Sequence, residues 1–310
     1  MSSPLTDRLP LARHQVDRDY LTRDRADVVS ELLASDDTRV LPLWRGRTLM
    51  ASSDRLALLP ARAVPQADDY VYLGLSQAVD EAEPVGTPLV AALLSDEQAR
   101  TLEPDESAWG GLRAFGSVLS ARDAGLAVEA VAVANWHDSH RFSPRSGRAL
   151  VSDKAGWVRR DPENGHEVFP RTDPAIIVAV TDADDRLLLG SNALWENNRY
   201  SLLAGFVEPG ESLEQAVQRE IFEESGVKVV DPVYLGSQPW PFPASLMLGF
   251  RARVDADDPG VLEPDGAEIL ELRWFSRAEL AASLDDVILP GRTSIARAII
   301  EDWFGGEIDQ

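Results

Sequence analysis

Short apolar runs separated by turn residues recur along the chain, and in the first 130 residues they predict a mixed α/β arrangement. The runs VLPLW, LALLP and YVYLGL are typical of strands. Two stretches, Ser95 to Arg100 and the alanine-rich Ala114 to Ala134, are predicted to be helical. No motif that carries chemistry occurs in this region, so we expect an N-terminal α/β domain over residues 1–134.

The pattern changes twice after this domain. From Asn135 to Arg171 the chain is rich in Arg, Ser, Pro, Gly and Trp and poor in aliphatic residues, which is typical of a loop-rich connector. From Asp173 onwards, strands are predicted at AIIVAV, RLLLG, VYLGS, LMLGFRARV and EILELRWF, with helices at Leu213 to Ser225 and Ser294 to Phe304. We therefore divide the chain into residues 1–134, 135–172 and 173–310.

Composition limits the classes of function. A chain of 310 residues with 44% hydrophobic content can bury the cores of two domains. A net charge of -22 disfavours binding along a nucleic-acid backbone, and the simplest role of this charge is a solvated acidic surface. The absence of cysteine excludes disulfides and thiolate metal sites.

The chain also lacks the sequence signals of membrane insertion and secretion. No apolar run approaches the roughly 18 residues of a membrane span. The polar start MSSPLTDRLP lacks the basic and apolar regions of a signal peptide. We therefore expect a cytoplasmic protein with no membrane partner.

The helix predicted from Leu213 to Ser225 carries the most informative pattern. Ser212 and Gln215 form a capping-box pattern at its start, and Gly226 stands where a left-handed cap would end it. Glu220, Glu223 and Glu224 are spaced i, i+3 and i+4, so their carboxylates share a sector of about 100° on one helix face.

Such carboxylates repel one another, and the last two also oppose the negative end of the helix dipole. Mg²⁺ or Mn²⁺ would relieve this repulsion, since both ions prefer oxygen ligands supplemented by water and phosphate. The alternative is a solvated acidic face that binds nothing. The glycines, Glu211 and Arg219 at defined offsets weaken that alternative.

The string from Gly205 to Val227 resembles the Nudix box, G-x5-E-x7-R-E-U-x-E-E-x-G-U, where U is a bulky aliphatic residue, at every specified position. The resemblance implies a Nudix fold, an α/β/α sandwich with a mixed sheet, from about Asp173 to the C-terminus. It implies metal ligation by Glu220, Glu224 and the carbonyl of Ala204, with Glu223 as a ligand or an aid to water deprotonation. Arg219 and Glu211 would pair and orient the loop and helix.

A second motif concerns the substrate. Ser237 to Ser245 reads SQPWPFPAS, in which three prolines stiffen the chain, Trp240 and Phe242 offer flat faces, and Gln238 and Ser245 offer hydrogen bonds. These residues suit a nucleobase or nicotinamide pocket. The alternative is a rigid loop whose aromatic rings pack in the core.

The segment resembles the SQPWPFPxS signature of NudC-type NADH pyrophosphatases. This resemblance implies hydrolysis of the pyrophosphate bond of NAD(H) to NMN(H) and AMP, removal of NAD caps from RNA 5′ ends, an N-terminal Nudix-like α/β domain and a homodimer. It implies Glu268, in preference to Glu271, as the remaining metal ligand. The implied substrate-binding residues are Phe169, Phe206, Gln238, Pro239, Trp240, Pro241, Phe242, Pro243, Ala244, Ser245 and Ala296.

The connector resembles the zinc ribbon of the same family, but its ligands differ. Ser143 and Ser146, then Asp161 and Asn164, stand where the family pattern has two C-x2-C pairs. Asp161 with His137, His140 and His166 is an alternative ligand set, but Ser and Asn bind zinc poorly. We expect no structural zinc, and a ribbon held by packing around Trp136 and Trp157.

Two alternatives to NAD(H) hydrolysis stay open. Many nucleoside diphosphates share the same cleavable bond, so the chain could be a diphosphatase of ADP-ribose or diadenosine compounds. In a different class, it could sense a nucleotide without cutting it. The complete set of carboxylates favours catalysis.

Overall fold

The computed structural model describes residues 5–310, apart from the side chain of Asp7. Two compact units can be distinguished by their internal contacts. The N-terminal unit contains residues 10–172 and 240–244, and the C-terminal unit contains the residues up to Leu9, 173–239 and 245–310. Within residues 5–310, no helix combines the length and the apolar character needed to cross a membrane. The internal contacts place the predicted connector, residues 135–172, in the same unit as the residues before it. The division into residues 1–134, 135–172 and 173–310 stays a prediction.

Helix α1 (Leu5–Arg8) comes first in the chain and belongs to the C-terminal unit. The N-terminal unit then contains the helices α2 (Val28–Ala34), α3 (Asp96–Leu102), α4 (Leu112–Phe115) and α5 (Ala121–Ser139). Its main sheet contains the strands β1 (Val16–Asp17), β2 (Arg39–Trp44), β3 (Arg47–Ser52), β4 (Arg55–Leu56), β5 (Leu59–Pro60), β6 (Asp69–Ser76), β7 (Pro88–Leu93) and β8 (Trp109–Gly111). The strand order is β1-β6-β7-β2-β3-β4, with β5 beside β2 and β8 beside β3.

Alternation along the central strands fills two apolar clusters in this unit. In β2, Leu41 and Leu43 belong to the cluster that includes α5, whereas Val40 and Trp44 belong to the other. Successive strand residues point to opposite faces, so β2 is covered on both sides. Helix α5 is buried along most of its length because alanine and valine occur all round it.

Two predictions in this region were wrong. The stretch Ala114 to Ala134 is not one helix, since α4 ends at Phe115 and α5 begins at Ala121, where the Ser120 hydroxyl accepts a hydrogen bond from the Asp123 amide at 3.1 Å. That local cap starts a new helix, which continues through Ser139 into the predicted connector. The run LALLP, residues 56–60, is not one strand. Its first residue ends β4, which pairs with β3, and its last two residues form β5, which pairs with β2.

The rest of the connector forms a small antiparallel sheet of β9 (Val151–Asp153), β10 (Val158–Arg160) and β11 (Glu167–Val168), in the order β11-β10-β9. Trp136 is 2% exposed and belongs to the apolar cluster that includes α5. The Trp157 indole donates a hydrogen bond to the Tyr72 carbonyl at 2.8 Å. Packing is not the only support, since the buried Asp161 carboxylate accepts from the Ser146 hydroxyl at 2.6 Å and the Asn164 amide at 2.9 Å.

The C-terminal unit forms one mixed sheet of β12 (Asp173–Thr181), β13 (Leu187–Asn192), β14 (Leu203–Phe206), β15 (Val229–Trp240), β16 (Ser245–Val254) and β17 (Ile269–Phe275). The order is β15-β16-β12-β13-β17, with β14 beside β12. Strands β12 and β16 are parallel, and β12 is antiparallel to β13 and β14. Besides α1, its helices are α6 (Leu213–Ser225), α7 (Arg277–Ala282) and α8 (Ile295–Phe304).

Helices cover both faces of this sheet. Ala216, Val217 and Ile221 of α6 pack in one apolar cluster with Ile176 and Val178 of β12. Helix α8 contacts β12 and β16 as well, and its Ile299 and Ile295 lie against Gly249. This α/β/α arrangement with a mixed sheet confirms the predicted fold class.

Strand β15 is longer than the predicted VYLGS. It continues to Trp240, well into the proline-rich signature. The prolines are tolerated because β15 is the last strand in the sheet order, where a missing amide hydrogen bond costs little.

Candidate active site

The helix that carries the carboxylates has the predicted bounds and caps. In α6, the Ser212 hydroxyl accepts from the Gln215 amide at 3.2 Å while the Gln215 side chain accepts from the Ser212 amide at 2.9 Å. Gly226 ends the helix with a φ of 67°. Both ends of the helix are thus held by local hydrogen bonds that do not involve the carboxylate face.

Arg219 connects this helix to the loop before it. Its guanidinium donates to both carboxylate oxygens of Glu211, at 3.0 Å through Nε, and to the carbonyl of Phe206 at 3.0 Å. Glu211 in turn accepts from the Glu208 amide at 2.7 Å. The Arg219 guanidinium holds the pKa of Glu211 below its usual value, so this pair stays ionised. The structure thus contains the loop-to-helix pairing that was implied for these two residues.

The same guanidinium also reaches two of the three helix carboxylates. Arg219 Nη1 lies 2.8 Å from Glu220 and 3.0 Å from Glu223. It therefore compensates part of the repulsion on this helix face. Burial nevertheless raises the pKa of Glu220.

The Glu220 carboxylate lies directly against Gly205. A Cβ atom built on Gly205 would lie 2.1 Å from the Glu220 carboxyl carbon. Any side chain there would push the carboxylate away from β14, so the first glycine of the motif makes room for an acidic side chain.

Among the described residues, no cationic side chain forms an ion pair with Glu224. It is 5% exposed, and its Oε2 atom is buried without a hydrogen-bond partner in the described residues. Burial, followed by the charges of Glu268 and Glu220, raises the pKa of Glu224 to about 8, against a smaller opposing effect of a backbone hydrogen bond from Ala204. The fold therefore brings Glu268, from the segment before β17, into electrostatic contact with the helix carboxylates.

The chemistry of these residues bears on whether they suit a divalent cation. Within residues 5–310, no group of three or more Asp, Glu, His or Cys side chains is arranged to hold a metal ion. Two of the helix carboxylates, Glu220 and Glu223, are paired with Arg219. The unpartnered oxygen of Glu224 and its repulsion by Glu220 and Glu268 nevertheless fit a hard cation with oxygen ligands.

Several of the residues implied to bind substrate lie in different units. Phe206 belongs to the C-terminal unit and Phe169 to the N-terminal unit, and each is 58% exposed. Exposed phenylalanine rings are available to a ligand, and stacking by Phe206 and lining of the pocket by Phe169 stay predictions.

Residues Trp240 to Ala244 belong to the N-terminal unit. The rings of Trp240 and Phe242 lie edge to face, with 4.9 Å between their centroids, and pack against the apolar cluster that includes α5. The Arg113 guanidinium lies 5.3 Å from the Trp240 ring centroid and 4.3 Å from that of Phe242. Asn135 in α5 donates to the carbonyls of Pro241 and Pro243 at 2.9 and 3.1 Å. These contacts agree with the packing alternative that the sequence left open, and ring stacking on a substrate stays a prediction.

The remaining implied residues are mostly engaged inside the C-terminal unit. Gln238 is fully buried and donates to the Thr293 carbonyl at 3.1 Å. Ser245 pairs with Asp173 at the start of the parallel ladder. The amide of Ala296 is already bonded to the Ser294 hydroxyl at 3.2 Å, which caps α8.

Asp265 and Asn192 contact the segment of Glu268 but were not predicted from the sequence. Asp265 accepts from the amides of Glu268 and Ile269, and Asn192 donates to the Glu268 carboxylate at 3.3 Å. Only the sequence Asp265-Gly266, a common turn pair, signalled a tight loop here.

Comparison with known proteins agrees with this geometry. The NUDIX domain model matches residues 171–297, and a model described as an NADH pyrophosphatase-like rudimentary NUDIX domain matches residues 37–136. A protein of Mycobacterium bovis (strain BCG / Pasteur 1173P2), named NAD-capped RNA hydrolase NudC, is 41% identical over 282 residues, covering 88% of this chain and 85% of that protein.

The chain belongs to the NudC-type Nudix hydrolases. The identically named protein of Mycobacterium tuberculosis (strain ATCC 25618 / H37Rv) is 40% identical over the same coverage. That of Shigella flexneri is 40% identical over 177 residues, which are 57% of this chain and 65% of that protein. The expected N-terminal Nudix-like domain is confirmed by the second domain model, and the NudC-type chain is a hydrolase.

Proposed function

We propose that this chain hydrolyses the diphosphate bond of NAD(H), giving NMN(H) and AMP, and removes NAD caps from RNA 5′ ends. The relatives that it matches over 88% of its length bear the name NAD-capped RNA hydrolase, and its N-terminal domain matches an NADH pyrophosphatase-like model. One observation carries the proposal. Glu224, on a helix that bears the complete Nudix box pattern, is buried with an unpartnered carboxylate oxygen, and the charges of Glu220 and Glu268 act on it.

In this proposal Glu220, Glu224, Glu268 and the carbonyl of Ala204 would hold Mg²⁺ or Mn²⁺. When bound there, the cation supplies positive charge that offsets the substrate diphosphate and favours ionisation of the attacking water. Arg219 holds the loop and the helix together through its pair with Glu211. Its contact with Glu223 keeps that carboxylate on the same helix face as Glu220 and Glu224, where it would act as a metal ligand or a proton acceptor. No covalent intermediate with the enzyme is required.

The acidic surface decides how RNA is recognised in this proposal. With a net charge of -22, the chain gains little from contacts along a phosphate backbone. Recognition is therefore confined to the capped end and its first nucleotides, where stacking and hydrogen bonds act. We further propose that the chain is cytoplasmic and forms a homodimer, in which the SQPWPFPAS segments help to build the neighbouring pocket.

The proposal is tested by chromatographic product analysis with NADH, NAD⁺, NAD-capped RNA, ADP-ribose and diadenosine compounds, in Mg²⁺ and in Mn²⁺. We expect NMN(H) and AMP from NAD(H), with a higher kcat/KM than for ADP-ribose. Glu224→Gln should lower kcat by at least ~10²-fold, the scale of losing one acid-base or charge-stabilising group.

Glu214→Gln is the matched control, because Glu214 is an exposed glutamate in the first turn of the same helix. It should retain wild-type turnover. Preference for ADP-ribose or diadenosine compounds would replace the proposed substrate. Nucleotide binding without turnover in either metal would contradict catalysis itself.

A further inference from the structure

Glu268 lies in a loop that one carboxylate organises. Asp265 Oδ1 accepts from the backbone amides of Ala267 at 3.2 Å, Glu268 at 3.1 Å and Ile269 at 2.8 Å, and Asp265 Oδ2 lies 3.2 Å from the Glu268 amide. Gly266 follows with a φ of 71°, a conformation that glycine adopts without strain. A single side chain thus replaces the ladder hydrogen bonds that the segment lacks before β17 begins at Ile269.

The other side of the loop is held by β13. The register between β13 and β17 shifts at Ser191 and Asn192, so that Asn192 pairs with Ile269. Beyond this bulge the Ala193 amide donates to the Glu268 carbonyl at 2.8 Å. The Asn192 amide donates to Glu268 Oε1 at 3.3 Å while its own oxygen accepts from the Leu194 amide at 2.9 Å.

These contacts fix the Glu268 amide, carbonyl and carboxylate through three different residues. Ile269, which is 5% exposed, anchors the next position in the core. Exposed glutamates usually sample many rotamers, and ordering such a side chain costs conformational entropy. A loop that already orders the Glu268 backbone and carboxylate lowers the cost of gathering ligands around a cation.

We infer that Asp265 is a positioning residue for Glu268: it shapes the loop so that the Glu268 carboxylate, oriented by Asn192, joins Glu220 and Glu224 in binding a divalent cation. This inference rests on the proposed function for the role of Glu268 as a ligand. In this inference Asp265 acts through the loop and not as a ligand.

The test measures Mn²⁺ binding without substrate, by electron paramagnetic resonance of free Mn²⁺ during titration of the full chain. Asp265→Ala should weaken Mn²⁺ affinity by roughly 10-fold or more, the usual scale for partners of metal ligands. Asp265→Asn keeps an acceptor oxygen in the loop and should remain closer to wild type. Asn192→Ala, which leaves the Asp265 turn intact, should weaken affinity too.

Asp255→Ala is the matched control. Asp255 makes the same kind of turn, accepting from the amides of Asp257 at 3.0 Å and Asp258 at 3.4 Å, in the segment that follows β16. It should leave Mn²⁺ affinity unchanged. Thermal unfolding of each variant identifies any loss of fold.

Three results would overturn the inference: wild-type Mn²⁺ affinity in folded Asp265→Ala, equal losses in Asp265→Asn and Asp265→Ala, or an equal loss in Asp255→Ala. The second would assign the effect to charge instead of loop geometry. Failure of the proposed function is distinguishable, because a chain that binds Mn²⁺ with these differences but leaves NAD(H) intact would contradict only the substrate.

Discussion

Helices α5 and α6 each bury a carboxylate, but they treat its charge differently. In α5, Asp123 is 1% exposed, and its carboxylate accepts hydrogen bonds from Arg122 Nε at 2.9 Å and from the Leu56 amide at 3.0 Å. In α6, Glu224 is 5% exposed, and no cation contacts it among the described residues. The first carboxylate is satisfied by neighbouring groups of the chain, whereas the second has an oxygen that no group in the described residues satisfies.

A third carboxylate lies between these extremes. Glu129 of α5 is 3% exposed, and Arg18 and Arg23 approach one of its oxygens only to 3.6 and 3.8 Å. Burial raises the pKa of Glu129 to about 7, although both arginines oppose the shift. Comparison of the three shows that close cations and hydrogen bonds, and not burial alone, decide whether a buried carboxylate is compensated within the chain.

The largest expected effect tests the uncompensated charge in the metal-free chain. The pKa of Glu224 in the folded chain is about 8, above its ordinary value of 4.5. As the pH rises, the unfolded chain therefore loses this proton before the folded chain does. The free energy of unfolding falls between these two pH values as a result. Each pKa unit corresponds to about 1.36 kcal/mol, so Glu224→Gln should be more stable than wild type by roughly 3–5 kcal/mol at pH 9.

The measurement is urea unfolding of both proteins in chelator at pH 5 and pH 9. At pH 5 the two proteins should differ little, because the Glu224 carboxyl is then protonated in the folded chain. Equal stability at pH 9 would contradict the comparison between the two helices.

The next effect tests the compensated charge. Arg122→Ala removes the cation from the buried Asp123 and weakens the pairing of Glu83, to which Arg122 Nη1 donates at 3.2 Å. We expect a loss of about 3 kcal/mol, the low end for a broken buried pair, since Arg55 still lies 3.0 Å from Glu83.

Urea unfolding measures this loss of stability, and turnover of the fraction that remains folded should be unchanged. A large loss of kcat with little change in stability would reverse the roles assigned to the two helices.

The smallest effect concerns the sheet of β9, β10 and β11, where hydrogen bonds hold the Asp161 carboxylate. Asp161→Ala removes the acceptor shared by Ser146 and Asn164 and should lower the melting temperature by roughly 5 °C. Glu163→Ala, which breaks only the surface pair with Arg148 at 2.9 Å, is the control and should have little effect.

Thermal unfolding with and without chelator provides the readout. The ribbon should unfold at the same temperature in both cases. A fall in its melting temperature caused by chelator in wild type would indicate a structural metal.

Predictions from the sequence succeeded where local periodicity decides the structure. The bounds of α6, its capping box and the glycine after it are set by residues within a few positions of each other. The alternating and continuous apolar runs located β2, β6, β12 and β16 for the same reason. The prediction of one helix over Ala114 to Ala134 failed, because apolar composition alone did not reveal the cap at Ser120.

The sequence by itself determined that Glu220, Glu223 and Glu224 share a helix face, because the helical repeat relates neighbours three and four positions apart. Only the tertiary structure decided that Glu268, 44 positions after Glu224, would approach that face and that Arg219 would compensate two carboxylates but not the third. It also decided that Trp240 and Phe242 would pack in the N-terminal unit. These contacts depend on strand order and on the space left by other side chains, which no local pattern encodes.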